Sequence, residues 1–218
     1  MIANVLAPHY CCSCGSVGSV LCEYCKFDII SQPYEQCVAC LGLALSNDAL
    51  CRRCDVPYRH AWIAGERSGV LEYLIDDYKF KRARSVATTL VDLLDEAIPP
   101  LPSDLLVVPV PTISRHIRQR GYDHAATIAR MLAKRRKLLY RAVLYRKTQT
   151  VQRDASRAGR ERQASVAFAS QPLSGERCLL VDDIYTTGAT IRHATNVLIA
   201  AGASEVWVAL IARQPLEK

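Results

Sequence analysis

A chain of 218 residues, half of them apolar and about a fifth charged, can form a packed core. It has room for one medium α/β domain plus a small module, or for one larger domain. No run of about eighteen apolar residues occurs, which excludes a membrane-spanning helix; the start MIANVLAPHYCC lacks a secretory-signal pattern, so the expected home is the reducing cytoplasm. The net charge of +7 is uneven: Ile113–Gln163 holds fifteen Lys/Arg against three Asp/Glu, a balance of +12 that leaves −5 elsewhere. A solvated basic helix would account for part of this, but placing the whole excess in one segment points to an anionic ligand: phosphate, pyrophosphate or nucleic acid.

The first 54 residues carry eight of the ten cysteines as four CxxC pairs: Cys11/Cys14, Cys22/Cys25, Cys37/Cys40 and Cys51/Cys54. In a reducing compartment such a pattern indicates metal rather than disulfides. The apolar fragments between pairs are too short to bury a core, so the segment needs a staple. Each CxxC places two thiolates on one turn, and two such turns complete a tetrahedral site, which predicts two structural Zn²⁺ ions. The gaps of 7, 11 and 10 residues permit sequential or interleaved pairing, and spacing alone does not separate zinc from iron. Cys12 falls outside the pattern and is read as a bystander.

Past Pro57 the texture changes, which divides the chain into a double zinc-ribbon module at 1–57 and an α/β domain at 58–218. Tyr58–Ala64 reads as a short strand or connector. Gly69–Phe80 and Arg84–Ile98 have helical apolar spacing, the second closed by Pro99-Pro100. Leu105–Val110 is a continuous apolar run, as in a strand buried on both faces. Asp123–Lys137 is helical, and Leu138–Tyr145, Cys178–Val181 and Glu205–Ile211 are further strands. This alternation predicts a parallel sheet flanked by helices.

The segment LLVDDIYTTGATI, Leu179–Ile191, has the most specific chemistry. A buried strand ends in Asp182 and Asp183, where parallel sheets place their ligand sites. Thr186-Thr187-Gly188-Ala189-Thr190 then runs into a helix whose free N–H groups and positive dipole end suit a phosphate. Gly188 permits close backbone approach, and the threonines add hydroxyl donors. Two carboxylates beside a phosphate loop repel the phosphate; they make sense if the ligand also brings hydroxyls and a Mg²⁺ ion, as a ribose diphosphate does. Simple helix capping would explain a lone Asp or TTG, but not the full string.

That string resembles the phosphoribosyl-diphosphate signature of type I phosphoribosyltransferases. The resemblance implies that Asp182 and Asp183 hold the ribose hydroxyls while Thr186–Thr190 wrap the 5′-phosphate. Four CxxC pairs, YKFKRA at Tyr78–Ala83, VPVP at Val108–Pro111, RQRGYDHA at Arg118–Ala125, the Gln152…Ser156-Arg157…Arg160 stretch and the phosphate loop occur in one order. Over nearly the whole chain this resembles the ComF-type competence proteins, in which a zinc module precedes a phosphoribosyltransferase-like domain and which are associated with DNA uptake.

The resemblance implies that Pro109–Arg120 faces the pyrophosphate, with Arg115, Arg118 and Arg120 as charge donors. Arg146–Phe168 resembles the mobile loop that closes over the reacting centre, where Arg157 and Arg160, with Lys147, Arg153 and Arg162, would neutralise the leaving group. Gln163, Gly159 and Ala164-Ser165-Val166 depart from the usual loop pattern. His124 is a candidate for proton transfer, although a histidine at a helix start is commonly structural.

Two classes of function follow. An enzyme would expel pyrophosphate from phosphoribosyl diphosphate through an oxocarbenium-like state, with catalysis by positioning and charge stabilisation and with an acceptor the sequence leaves unassigned. Nucleotide-salvage glycosyl transfer is one version of this. The second class is a non-catalytic protein that binds single-stranded DNA or scaffolds a DNA-uptake helicase or channel, keeping the phosphoribosyl site as a sensor. Tyr122, Tyr140 and Tyr145 are the few aromatics in the basic region available for base stacking.

Overall fold

The computed structural model describes residues 9–32, 34–44, 48–80, 84–146 and 168–215. A short helix α1 (Glu23–Ile30) lies in the cysteine-rich segment. The remainder runs β1 (Ala61–Glu66), α2 (Gly69–Phe80), α3 (Arg84–Ala97), β2 (Leu106–Pro109), α4 (Ser114–Arg120), α5 (His124–Arg136), β3 (Leu139–Tyr140), β4 (Leu144–Arg146), β5 (Phe168–Ser170), β6 (Arg177–Tyr185), α6 (Ala189–Ala200) and β7 (Glu205–Arg213).

Five of these strands form one parallel sheet in the order β1-β7-β6-β2-β3, as the alternation of strands and helices predicts. The middle stretches of the central strands, Cys178–Val181 and Val206–Ala212, are apolar because helices cover both faces. Successive residues point to opposite faces: Leu179, Val181 and Trp207 pack under α2, α3 and α5, while Leu180, Val208 and Leu210 pack with α6. Burying one such leucine stabilises the fold by about 1.5–3 kcal/mol. Asp123 caps α5 by accepting the Ala126 N–H at 3.0 Å, and Lys137 ends it with a left-handed φ of 56°.

The cysteine-rich segment is not a detached bead. Cys11, Leu21 and Cys25 belong to the core under α2 and α3, whereas Cys37, Val38 and Leu50 belong to the core on the opposite face. The segment therefore straddles the sheet at β1, its edge strand. The Ala49 N–H donates to the Ala61 carbonyl at 2.8 Å, and Asp48 accepts both the Ala61 N–H and a 2.7 Å contact from His60 Nδ1.

Three elements differ from expectation. Leu138–Tyr145 is two strands: β3 joins the main sheet, and after a break β4 pairs antiparallel with β5. Cys178–Val181 is the first half of β6, which continues through both aspartates to Tyr185 because Asp182 and Asp183 find partners there despite their poor strand propensity. The segment after VPVP contains a helical turn, α4, ended by Gly121 at φ 81°.

Candidate ligand cleft and metal centres

β2 ends beside Val181 while β6 runs on to Tyr185, and a cleft of about 220 Å³ opens where β2 stops. It is lined by the acids Asp182 and Asp183 with Thr190, and by Lys79, His116, Arg120, His124 and Arg146. A cleft lined by two carboxylates and several cations, with no aromatic wall, suits a ligand with both hydroxyls and phosphates.

Asp183 sits at the floor, 7% exposed. Its Oδ2 meets Lys79 Nζ at 2.6 Å and His124 Nε2 at 2.9 Å, and its Oδ1 accepts the Ile184 N–H at 2.7 Å. Arg120 Nη1 lies 2.9 Å from His124 Nδ1. The same Arg120 Nη1 lies 3.3 Å from His124 Nε2, so the guanidinium sits against the ring. Burial pushes the Asp183 carboxyl up, but the hydrogen bond from His124 and the charge of Lys79 outweigh it and hold the group far below the ordinary carboxylate range. Asp182 goes the other way: burial, then the neighbouring Asp183 charge, raise it well above the ordinary value. One acid is fixed as an anion; its neighbour resists ionising. His116 is lowered by burial and by Arg120 and Arg115. Arg146, lowered by burial, donates from Nε to the Pro111 carbonyl at 2.8 Å and lies over the Phe168 ring.

The phosphate loop leads into α6 as the sequence suggests. Gly188 occupies the N-cap with φ 77°, and no side chain caps the helix from that position. A Cβ at Gly188 would collide with the phenol of Tyr185, which is buried and hydrogen-bonded to Tyr58 at 3.3 Å, so only glycine fits. The nearest polar side chain is Thr187, whose Oγ1 accepts a long 3.4 Å contact from the Ala189 N–H. The first N–H groups of α6 are thus available to an anion.

Of the residues singled out in the sequence, Asp182, Asp183, Thr190 and Arg120 line the cleft, while Thr186, Thr187 and Ala189 are exposed beside it. Arg115 and Arg118 are exposed on α4 outside the lining, with no ion pair among the described residues. Arg157 and Arg160 lie outside the described residues, as do Lys147, Arg153 and Arg162. Much of the basic excess serves the fold: Arg135 and Arg136 pair with Asp92 and Asp95 on α3, and Arg141 pairs with Glu176. Lys79, His116 and Arg146 were not assigned from sequence; the YKFKRA string contains Lys79, but only the tertiary fold brings it against Asp183.

The eight paired cysteines form two groups, Cys11/Cys14/Cys22/Cys25 and Cys37/Cys40/Cys51/Cys54, which settles the pairing as sequential. Sulfur–sulfur distances are 3.7 Å for Cys14–Cys22, 3.8 Å for Cys37–Cys54 and 3.7 Å for Cys40–Cys51. A tetrahedron with metal–sulfur bonds of about 2.3 Å has edges of about 3.8 Å, so the thiols are spaced for one ion in each group. Backbone N–H groups of Cys22 and Gly42 donate to Cys11 and Cys40 sulfurs, as thiolate ligands require. Cys12 stands outside both groups; burial raises its thiol to about 11.

The phosphoribosyl transferase domain model matches residues 117–218. Over 88% of this chain, "DNA utilization protein YhgH" of Salmonella typhi is 23% identical with 96% of its own length covered, and "Competence protein F" of Haemophilus influenzae is 28% identical with 90% covered. These similarities support a ComF-type family, and two four-cysteine clusters ahead of a helix-flanked parallel sheet are consistent with it. Among solved structures, the allosteric regulatory enzyme of purine biosynthesis is 21% identical over 57% of this chain, with a TM-score of 0.41. The match spans 25% of that enzyme's length. A purine phosphoribosyltransferase from Pyrococcus horikoshii is 16% identical over 63% of this chain and 75% of its own, with a TM-score of 0.34.

Proposed function

We propose that the cleft binds phosphoribosyl diphosphate with Mg²⁺, and that the protein is a phosphoribosyltransferase-type component of DNA uptake. The observation that carries this reading is the acid pair in the last residues of β6, which lines one cleft with Lys79, Arg120, Arg146 and Thr190, beside the start of α6. The acids suit the ribose hydroxyls, α6 the 5′-phosphate and the cationic side chains the diphosphate. Mg²⁺ would arrive with the diphosphate and neutralise part of its charge. The protein's own contribution is to orient C1 and to hold charge on the departing pyrophosphate, with Arg157 and Arg160 proposed to assist. Each four-cysteine cluster is proposed to hold a structural zinc, consistent with the all-thiolate donor set.

Calorimetric titration with phosphoribosyl diphosphate and Mg²⁺ tests the site. Binding by the natural protein and its loss in Asp182→Ala/Asp183→Ala is expected; equal binding by both would sink the assignment. Pyrophosphate release in a nucleobase screen tests turnover.

A DNA-binding reading rests on Arg115 and Arg118, exposed on one short helix. It is weakened by the tyrosines: Tyr122 packs on Tyr78 and Tyr140 lies under Arg130, leaving Tyr145 exposed for stacking. A steep salt dependence for single-stranded DNA would revive it.

A further inference from the structure

The two adjacent aspartates of β6 are chemically unequal, and their partners show how. Asp183 is held by charge and by one hydrogen bond: Oδ2 lies within ion-pair distance of Lys79 and His124 without a well-directed hydrogen bond, and Oδ1 accepts the Ile184 N–H. Asp182 is less engaged: its Oδ1 accepts the Asp183 N–H at 2.9 Å, and its carboxyl otherwise interacts with the neighbouring Asp183 side chain. A ribose hydroxyl needs an acceptor that is free, and Asp182 offers it.

Lys79 is the complement. It ends α2, where the helix dipole favours a cation, and its side chain is 13% exposed, in the cleft. An ammonium has three donors. Its charge lies 2.6 Å from Asp183 Oδ2, and the group lines the cleft together with Arg120 and Arg146. His124, tied to Asp183 on one side and to Arg120 on the other, completes a chain from Asp183 to that arginine.

We infer that Lys79 is a diphosphate-binding residue held in place by Asp183, and that Asp182 alone serves the ribose hydroxyls. Asp183 then acts as a positioning residue: a buried anion anchoring two of the cleft's basic groups. This rests on the phosphoribosyl reading above and divides its acid pair into two different roles.

Three probes separate the roles: phosphoribosyl diphosphate with Mg²⁺, ribose 5-phosphate, and inorganic pyrophosphate with Mg²⁺, each titrated calorimetrically into the full chain. Lys79→Ala should weaken the diphosphate-bearing probes about tenfold or more and leave ribose 5-phosphate unchanged. Asp183→Asn should follow the Lys79→Ala pattern. Asp182→Asn should weaken ribose 5-phosphate and spare pyrophosphate. Lys79→Arg, which keeps the charge and the stem length, should restore part of the pyrophosphate affinity, and thermal melts verify that each variant is folded. The inference is overturned if Asp183→Asn loses ribose 5-phosphate as Asp182→Asn does, or if Lys79→Ala weakens all three probes equally. Failure of the natural protein to bind any of the three would instead remove the phosphoribosyl reading, and this inference with it.

Discussion

In the parallel sheet Val107, Leu179, Leu180 and Val208 are wholly buried, whereas in the cysteine-rich segment Tyr24, Phe27 and Leu43 are 82%, 68% and 86% exposed. The sheet closes two apolar cores around itself. The segment contributes only a few side chains to each of them, and its own centres are eight sulfurs. One region is organised by apolar burial and the other by ligand chemistry, so they should respond to different insults.

Metal removal should produce the largest effect, because a structural zinc site in a small peptide is worth on the order of 10 kcal/mol. Elemental analysis should find two zinc ions per chain, and Cys37→Ser should halve that number and expose the 34–54 region to protease. Unaltered metal content in Cys37→Ser would end the two-cluster reading. Next in size, Leu180→Ala should cost about 2–5 kcal/mol in urea unfolding through the cavity it leaves, without altering metal content. A loss of zinc in that variant would mean the two regions are not separately organised.

A smaller effect, of opposite sign, is expected from Asp182→Asn. An acid whose folded value is raised destabilises the fold once pH climbs past its ordinary value, and the full deficit is reached above the folded value. The uncharged variant should therefore melt a few degrees higher at pH 8 and show little gain near pH 4. A lower melting temperature at pH 8 would show that the acid is not under electrostatic strain. Last, Phe27→Ser should change stability by less than about 0.5 kcal/mol, since the ring packs on nothing that folding buries. A large loss would show that the Phe27 ring, and not only Cys25 of α1, contributes to the core.

Much of this was legible in the chain. The helical spacing of Gly69–Phe80 gave α2 its bounds, and the apolar run ending in VPVP marked β2, because each is set by local periodicity. The turn into α6 was equally clear, since Gly188 and the adjoining threonines are contiguous. What stayed hidden depended on distant partners. Spacing could not tell sequential from interleaved cysteine pairing. Lys79 and Asp183 are more than a hundred residues apart, so no local pattern could join them. The basic excess misled in part: Arg135 and Arg136 look identical in sequence to ligand-binding arginines, and only α3, with Asp92 and Asp95 facing them, reveals that they brace helices.

The clasp around β1 has a consequence for the protein's fate in solution. An edge strand presents unpaired N–H and C=O groups to any passing strand. Here Ala49 and Asp48 take up both groups of Ala61, and the two cysteine clusters close over the edge from either side. Demetallation would uncover that edge together with the apolar residues flanking it. The chain stripped of its metals should therefore tend to self-associate through added strands, so the cysteine-rich segment acts as a guard against aggregation, whatever else it does.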